Sequence, residues 1–297
     1  MMKIGIGTVQ FGMDYGISNP EGRPPIEEVN KILEVAASNG IRVIDTAALY
    51  GNSEEILGKA WPDGYIFDVV TKTARFSKSV ISETDVRQLE NTLHRSLRNM
   101  CISSVYGLLI HHAEDLLVDG GQLLIEKMLE LKQKGLIEKI GVSVYTAEQI
   151  DRILDKFSID LIQLPISILD QRLLKSGHLM KLKKKGIEIH ARSVFLQGLL
   201  LMDIEIMPPY FNLIKEHLFK LREYLKGQKL SPLEAALNFV IQQPEINAAI
   251  VGVNTASEFQ EIMRAVKYNK LDQNSDYSIW AVEDENIINP SLWRYNR

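Results

Sequence analysis

Eight short apolar runs alternate with stretches of helical periodicity along this chain, and few architectures accommodate that order. The runs are Ile4–Phe11, Arg42–Ala47, Ile66–Thr73, Val105–Ile110, Ile140–Val144, Leu161–Ile166, Ile187–Phe195 and Ala248–Val253. They are nearly unbroken in apolar character, as strands buried on both faces are. Between them, Ile26, Val29, Leu33 and Ala36 recur at helical spacing, and Gly40 follows as a stop. Ser82 and Asp85 have the form of a capping box ahead of a stripe of Val86, Leu89, Leu93, Leu97 and Met100. Helices are expected over Ile26–Asn39, Asn52–Ala60, Gln122–Lys134, Ala147–Lys156, Gln171–Lys185 and Ser257–Lys267. A longer helical region, Tyr210 to Gln243, breaks near Gly227 and restarts at Ser231-Pro232. Strict alternation of this kind predicts an α/β fold of the (β/α)8 barrel (TIM barrel) type, a closed parallel sheet inside outer helices, rather than an open doubly wound sheet. A single domain over residues 1–297 is expected. The tail from about residue 270 lacks periodicity but carries Trp280 and Trp293, so it should pack on the barrel.

Charge and motif content exclude several classes. The formal net charge is -4, so no excess of positive charge favours nucleic acid or an anionic membrane. The opening MMKIGIGTVQFG lacks the apolar core of a signal peptide, and no segment approaches the ~20 apolar residues of a membrane span. A cytoplasmic protein is the expectation. Cys101 is the sole cysteine; a nucleophile and a small buried residue near a helix end are the two readings, and the second is preferred. No Cys/His/Glu cluster has metal-ligand spacing, so no metal site is expected. In Gly5-Ile6-Gly7 the third glycine of a GxGxxG fingerprint would fall at Gln10, which argues against a Rossmann loop. The run Lys181–Lys185 reads as a solvated helix face.

In a barrel, side chains at the carboxyl ends of the strands converge on one mouth, which holds the active site. Here those ends carry Asp45 with Tyr50 just beyond it, Lys72, His111, Ser143, Gln163, Arg192 with Ser193, and Gly252. Asp, Tyr, Lys and His at adjacent strand ends make a proton-transfer set. A phenol titrates near pH ~10, and an adjacent ammonium lowers that value. An aspartate would hold the lysine charged, and a histidine would orient a carbonyl oxygen or help deliver the proton. Each residue alone also has an ordinary structural explanation; it is their co-occurrence at consecutive strand ends that points to chemistry.

The segments GIGTVQFG, VIDTAALYGNSEEILG, Thr71-Lys72, SLRNMCISSVYGLLIHH, Gly141–Ser143, IQLPISILDQR, ARSVFLQGLL and AAIVGVNTASEFQEI follow one another across nearly the whole chain. In this order they resemble the aldo-keto reductase family. The resemblance implies an NAD(P)H-dependent oxidoreductase that reduces an aldehyde or ketone to an alcohol. It makes Asp45, Tyr50, Lys72 and His111 the catalytic tetrad, with Tyr50 the acid. It implies NADPH as cofactor, with NADH as the alternative, bound across the mouth by Gly7, Thr8, Asp45, Ser143, Gln163, Arg192, Ser193, Leu196, Gly198, Gly252 and Asn254. Val144 stands where the family often has an amide-binding Asn. Arg192 stands where an aromatic residue often stacks on the nicotinamide; it either stacks there or pairs with an acid. Glu258 falls in the stretch where NADPH-selective members carry cations, and it would repel a phosphate; Arg264 is the nearby cation. The chain starts almost at the first strand, so the hairpin that often closes the barrel bottom is expected to be absent. The substrate would be a small carbonyl compound, with Asp14, Tyr15, His112, Arg192 and Trp280 as candidate wall residues; polar groups there suit a hydroxylated molecule such as a sugar derivative. A cofactor-binding regulatory subunit with little turnover is the rival reading. The sequence leaves the oligomeric state open.

Overall fold

Eight parallel strands close on themselves in sequence order in the computed structural model, which describes residues 3–268 and 276–294. The strands are β1 Ile4–Gly7, β2 Val43–Asp45, β3 Asp68–Lys72, β4 Val105–Ile110, β5 Ile137–Ser143, β6 Leu161–Pro165, β7 Glu188–Arg192 and β8 Ala248–Gly252. β1 pairs with both β2 and β8, so the sheet has no free edge. The residues of β1 and β6 are buried throughout, as the unbroken apolar runs require.

The helices cover this cylinder with their apolar stripes. Glu83–Met100 begins at the Ser82/Asp85 capping box and buries Val86, Leu89, Leu93, Leu97 and Met100. Pro232–Ile241 starts with its own box, Ser231 with Glu234, and proline in the first turn. Trp280 is buried, and Val282 N–H donates to the Leu169 carbonyl at 2.9 Å, so the described part of the tail lies against the barrel. Residues 270–275 and 295–297 of that expected tail, and residues 1–2, lie outside the described residues.

Three local expectations are corrected. The first apolar run leaves the sheet at Gly7; Val9–Gly12 turns into a short helix and buries Phe11 in the core. An apolar run cannot by itself distinguish a strand from a buried helical turn. The expected helix Gln171–Lys185 is two, Arg172–Lys175 and His178–Lys184, divided at Gly177, whose φ of 77° is left-handed. Cys101 is exposed, not buried: it caps Glu83–Met100 in the left-handed region with φ 57°.

Candidate active site at the carboxyl ends of the strands

The closed register brings the ends of distant segments together. Asp45, Lys72, Ser143, Arg192 and Gly252 are each the last residue of their strand, and His111 follows the last residue of β4. They surround a cavity of about 430 Å³, a size that suits a small organic ligand. Among the described residues, no helix is long and apolar enough to cross a membrane.

At the cavity floor Lys72 is only 1% exposed. Its Nζ donates to Asp45 Oδ1 and Oδ2, both at 2.8 Å, and to the Thr46 carbonyl at 2.9 Å. A longer contact of 3.4 Å reaches Tyr50 Oη. Gln163 Nε2 donates to Asp45 Oδ1 at 2.6 Å, so the carboxylate is held from β6 as well as from β3. The Tyr50 ring meets His111 edge-on, with centroids 5.9 Å apart, and His112 stacks behind His111 at 4.8 Å. Tyr50 itself is placed by close backbone contact: a Cβ on Gly12 would sit 1.9 Å from the Tyr50 carbonyl oxygen. Only glycine permits the two loops to approach so closely.

The electrostatics differ from the simple expectation of an acidified phenol. Burial, and then the Asp45 carboxylate, push the Tyr50 hydroxyl well above its ordinary range, while Arg192 opposes them. Burial also draws Lys72 below its usual value, against the charge of Asp45 and the hydrogen bonds Lys72 donates to it. The ammonium is thus largely compensated by Asp45, and the phenol faces a nearly neutral pair. In the free protein Tyr50 is held protonated. Burial, with Lys72, His112 and Arg192 nearby, pushes His111 down to about 3.

A neutral imidazole in the folded chain makes a measurable demand on stability. The ordinary value is 6.5, so between there and about 3 the unfolded chain binds a proton that the folded chain refuses. Stability is therefore full above that window and falls as the pH drops through it, by up to ~1.4 kcal/mol for each pH unit. In urea unfolding at about pH 7.5 and about pH 5, the parent should lose more stability on acidification than His111→Asn. Equal losses would deny the ring this role.

Of the residues named from sequence, Gly7, Thr8, Asp45, Tyr50, His111, Ser143, Gln163, Arg192, Ser193, Gly198, Gly252 and Asn254 line the cavity. Lys72 stands just behind, reached through Asp45 and Tyr50. The Leu196 side chain is buried and does not line the cavity, while its neighbours Phe195, Gln197 and Gly198 do. Of the expected wall residues, Tyr15, His112 and Arg192 are present, whereas Asp14 and Trp280 are not. Trp280 packs on His217 and Tyr224 below the tail. Among the described residues, Arg192 forms no ion pair with an acid. Its guanidinium lies 4.0 Å over the Tyr145 ring and donates to the Val144 carbonyl at 3.0 Å. Tyr145 and Gln10, both on the wall, were not singled out by sequence. Tyr145 lies two residues beyond the end of β5, so the strand-end argument had the means to find it.

A bridge joins three loops along this wall. Ile17 N–H donates to the Gln197 carbonyl at 3.0 Å, and Asn19 Nδ2 to Asn254 Oδ1 at 3.2 Å. Gly198, at φ 96°, lies so close to Ser18 that a Cβ would come within 1.8 Å of the hydroxyl oxygen. Loops after β1, β7 and β8 are thereby tied across the cavity.

A family model described as "Aldo/keto reductase family" matches residues 3–282. The chain belongs to the aldo/keto reductase family. Curated relatives of this aldo/keto reductase include Protein REDOX 2 of Catharanthus roseus, 30% identical over 162 residues. That match spans about half of either protein, 49% of this chain and 50% of the relative. The NADH-specific methylglyoxal reductase of Escherichia coli is 26% identical over 311 residues, covering 93% of each chain. Among solved structures, the holo form of aldo-keto reductase AKR11C1 from Bacillus halodurans superposes with a TM-score of 0.72 at 20% identity, over 91% of this chain and 88% of that one. That likeness speaks to the fold, the closed barrel with its ring of helices. The family is one of oxidoreductases that in general use nicotinamide cofactors.

Proposed function

We propose that this chain reduces the carbonyl group of an aldehyde or ketone to an alcohol, using a nicotinamide dinucleotide and the proton of Tyr50. The observation that carries the reading is the 3.4 Å contact between Tyr50 Oη and the buried, Asp45-bound Lys72 at the cavity floor. The residues on the wall suit the cofactor. His111 Nδ1 and Gln10 Oε1 are buried and without hydrogen-bond partners, and buried polar groups left so are normally satisfied by something. Thr8, Ser143, Gln163 and Asn254 offer further hydrogen-bonding groups toward the same space. When bound, the nicotinamide supplies a hydride for the carbonyl carbon.

The chain's own residues do the rest. Tyr50, protonated in the free protein, donates to the carbonyl oxygen as negative charge develops there. Lys72, 3.4 Å away, stabilises the phenolate left behind. Asp45 fixes Lys72 through two hydrogen bonds, and Gln163 fixes Asp45. Neutral His111, edge-on to Tyr50, orients the oxygen without competing as an acid. Burial of these groups away from water strengthens each of these interactions.

The test is to mix the protein with NADH or NADPH and a panel of aldehydes and ketones, following loss of the reduced cofactor. Methylglyoxal is a rational first member, since a relative bears its name. Turnover with any carbonyl supports the proposal. Cofactor binding without turnover across the panel would favour a regulatory subunit, and no binding at all would reject both readings.

A further inference from the structure

We infer that the cavity discriminates against a dinucleotide carrying a 2′-phosphate on its adenosine ribose, and so takes NADH in preference to NADPH. The inference rests on the proposed nicotinamide-dinucleotide reading of the cavity. With the reactive end at Tyr50, the remainder of a dinucleotide extends toward the end of β8, where Gly252, Asn254, Glu258 and Glu261 form the wall. Beyond that strand begins the helix Ala256–Lys267.

A helix N-terminus ordinarily offers free amides and a positive dipole end to a phosphate. Here those amides are taken by the protein's own acceptors, two of them carboxylates. Ala256 N–H donates to Glu28 Oε1 at 2.7 Å, a contact reaching across from the helix after β1. Asn254 N–H and Thr255 N–H donate to Glu258 Oε2 at 2.7 and 3.4 Å. Glu258 N–H donates to Thr255 Oγ1 at 3.1 Å. The Ala256 amide also holds the Glu28 carboxyl below its usual range, so Glu28 is an anion at neutral pH.

Lys31 pairs with Glu28 at 3.4 Å on the exposed side of its helix, but among the described residues no cation pairs with Glu258 or Glu261. Among the residues lining the cavity the one Lys or Arg is Arg192, which lies over Tyr145 and is felt by Tyr50 at the opposite end. Arg264, on the same helix as Glu258, is not on the wall. A phosphate monoester carries about -1.5 to -2 charges at pH 7, and here it would meet Glu258 and Glu261 on the wall, with the Ala256 amide already given to Glu28 behind it. A ribose 2′-hydroxyl is neutral and can donate to a carboxylate, a recurrent device for recognising the unphosphorylated dinucleotide. A second feature marks this end as a ligand wall. Gln10, only 9% exposed, packs against Gly252 with Oε1 unpartnered.

Fluorescence titration with each reduced dinucleotide, in the absence of any carbonyl substrate, tests the inference. NADPH should bind at least ~10-fold more weakly than NADH, and the gap should narrow as salt screens the repulsion. ADP-ribose should displace NADH, and its 2′-phosphorylated form should do so poorly. Glu258→Gln and Glu28→Gln each keep a carbonyl oxygen for the amides but remove a charge. Each should narrow the gap between NADH and NADPH by about 3- to 10-fold, as loss of one like-charge contact predicts. Equal or tighter binding of NADPH by the parent overturns the inference and leaves the proposed reaction standing. An unchanged NADH-to-NADPH ratio in both variants also overturns it. Failure of both dinucleotides to bind rejects the cavity reading together with the inference.

Discussion

Tyr50→Phe should lower the rate of carbonyl reduction by about 10²- to 10⁴-fold, the usual worth of a positioned acid, with dinucleotide binding close to that of the parent. Phenylalanine keeps the ring that meets His111 edge-on at 5.9 Å and loses only the hydroxyl that faces Lys72 Nζ. Packing around residue 50 is also set by backbone, through the close approach of Gly12 to its carbonyl, and the substitution leaves that contact alone. The lost group is the proton source itself, since the parent phenol is held protonated by burial and by Asp45. Single-turnover kinetics with saturating dinucleotide read the hydride step directly, and a fluorescence titration reads binding. A variant that turns over like the parent would remove Tyr50 from the mechanism.

The second large effect concerns stability. Asp45→Ala should destabilise the fold by about 3–5 kcal/mol, as breaking one side of a buried ion pair does. Lys72 is 1% exposed and donates two of its hydrogen bonds to Asp45, so truncation leaves its ammonium nearly alone in the barrel floor. Gln163 Nε2 would lose its acceptor at the same time. Replacing Lys72 with methionine in the same chain should restore much of the loss, because an apolar side chain of similar length demands no partner. Urea unfolding of the parent, the single variant and the double variant measures both quantities. If Asp45→Ala unfolds at the parent's midpoint, the pair contributes nothing to the fold.

The barrel was legible because its signal is repetitive: eight apolar runs separated by amphipathic helices leave little freedom of topology. The gathering of Asp45, Lys72 and His111, three of the four residues proposed as catalytic, followed from the same logic, since they fall at or just past strand ends, where any barrel brings its side chains together. The misread places share a cause, which is that tertiary contact overrides local pattern. Val9–Gly12 looked like strand because Phe11 is apolar, but Phe11 is buried from a helical turn. Gly177 looked like a tolerated helical glycine and is a left-handed break. Cys101 was expected inside by residue type, yet it occupies an exposed cap. Leu196 was expected to contact the cofactor, and what its sequence position could not show is that its side chain is buried, from a left-handed backbone with φ 47°. The bond from Gln163 to Asp45 spans 118 residues and has no signature in sequence. The electrostatics were least legible. A lysine beside a tyrosine suggests an acidified phenol, and only the burial of the group and the placement of Asp45 show why the free protein keeps it protonated.

The ties from Ile17 to Gln197 and from Asn19 to Asn254 bear on tempo as much as on shape. A long molecule threaded beneath them departs only after they part, and Gly198 leaves no slack at the seam with Ser18. For such a guest, escape calls for the unfastening of a clasp, the kind of loop opening that can set the pace of a cycle.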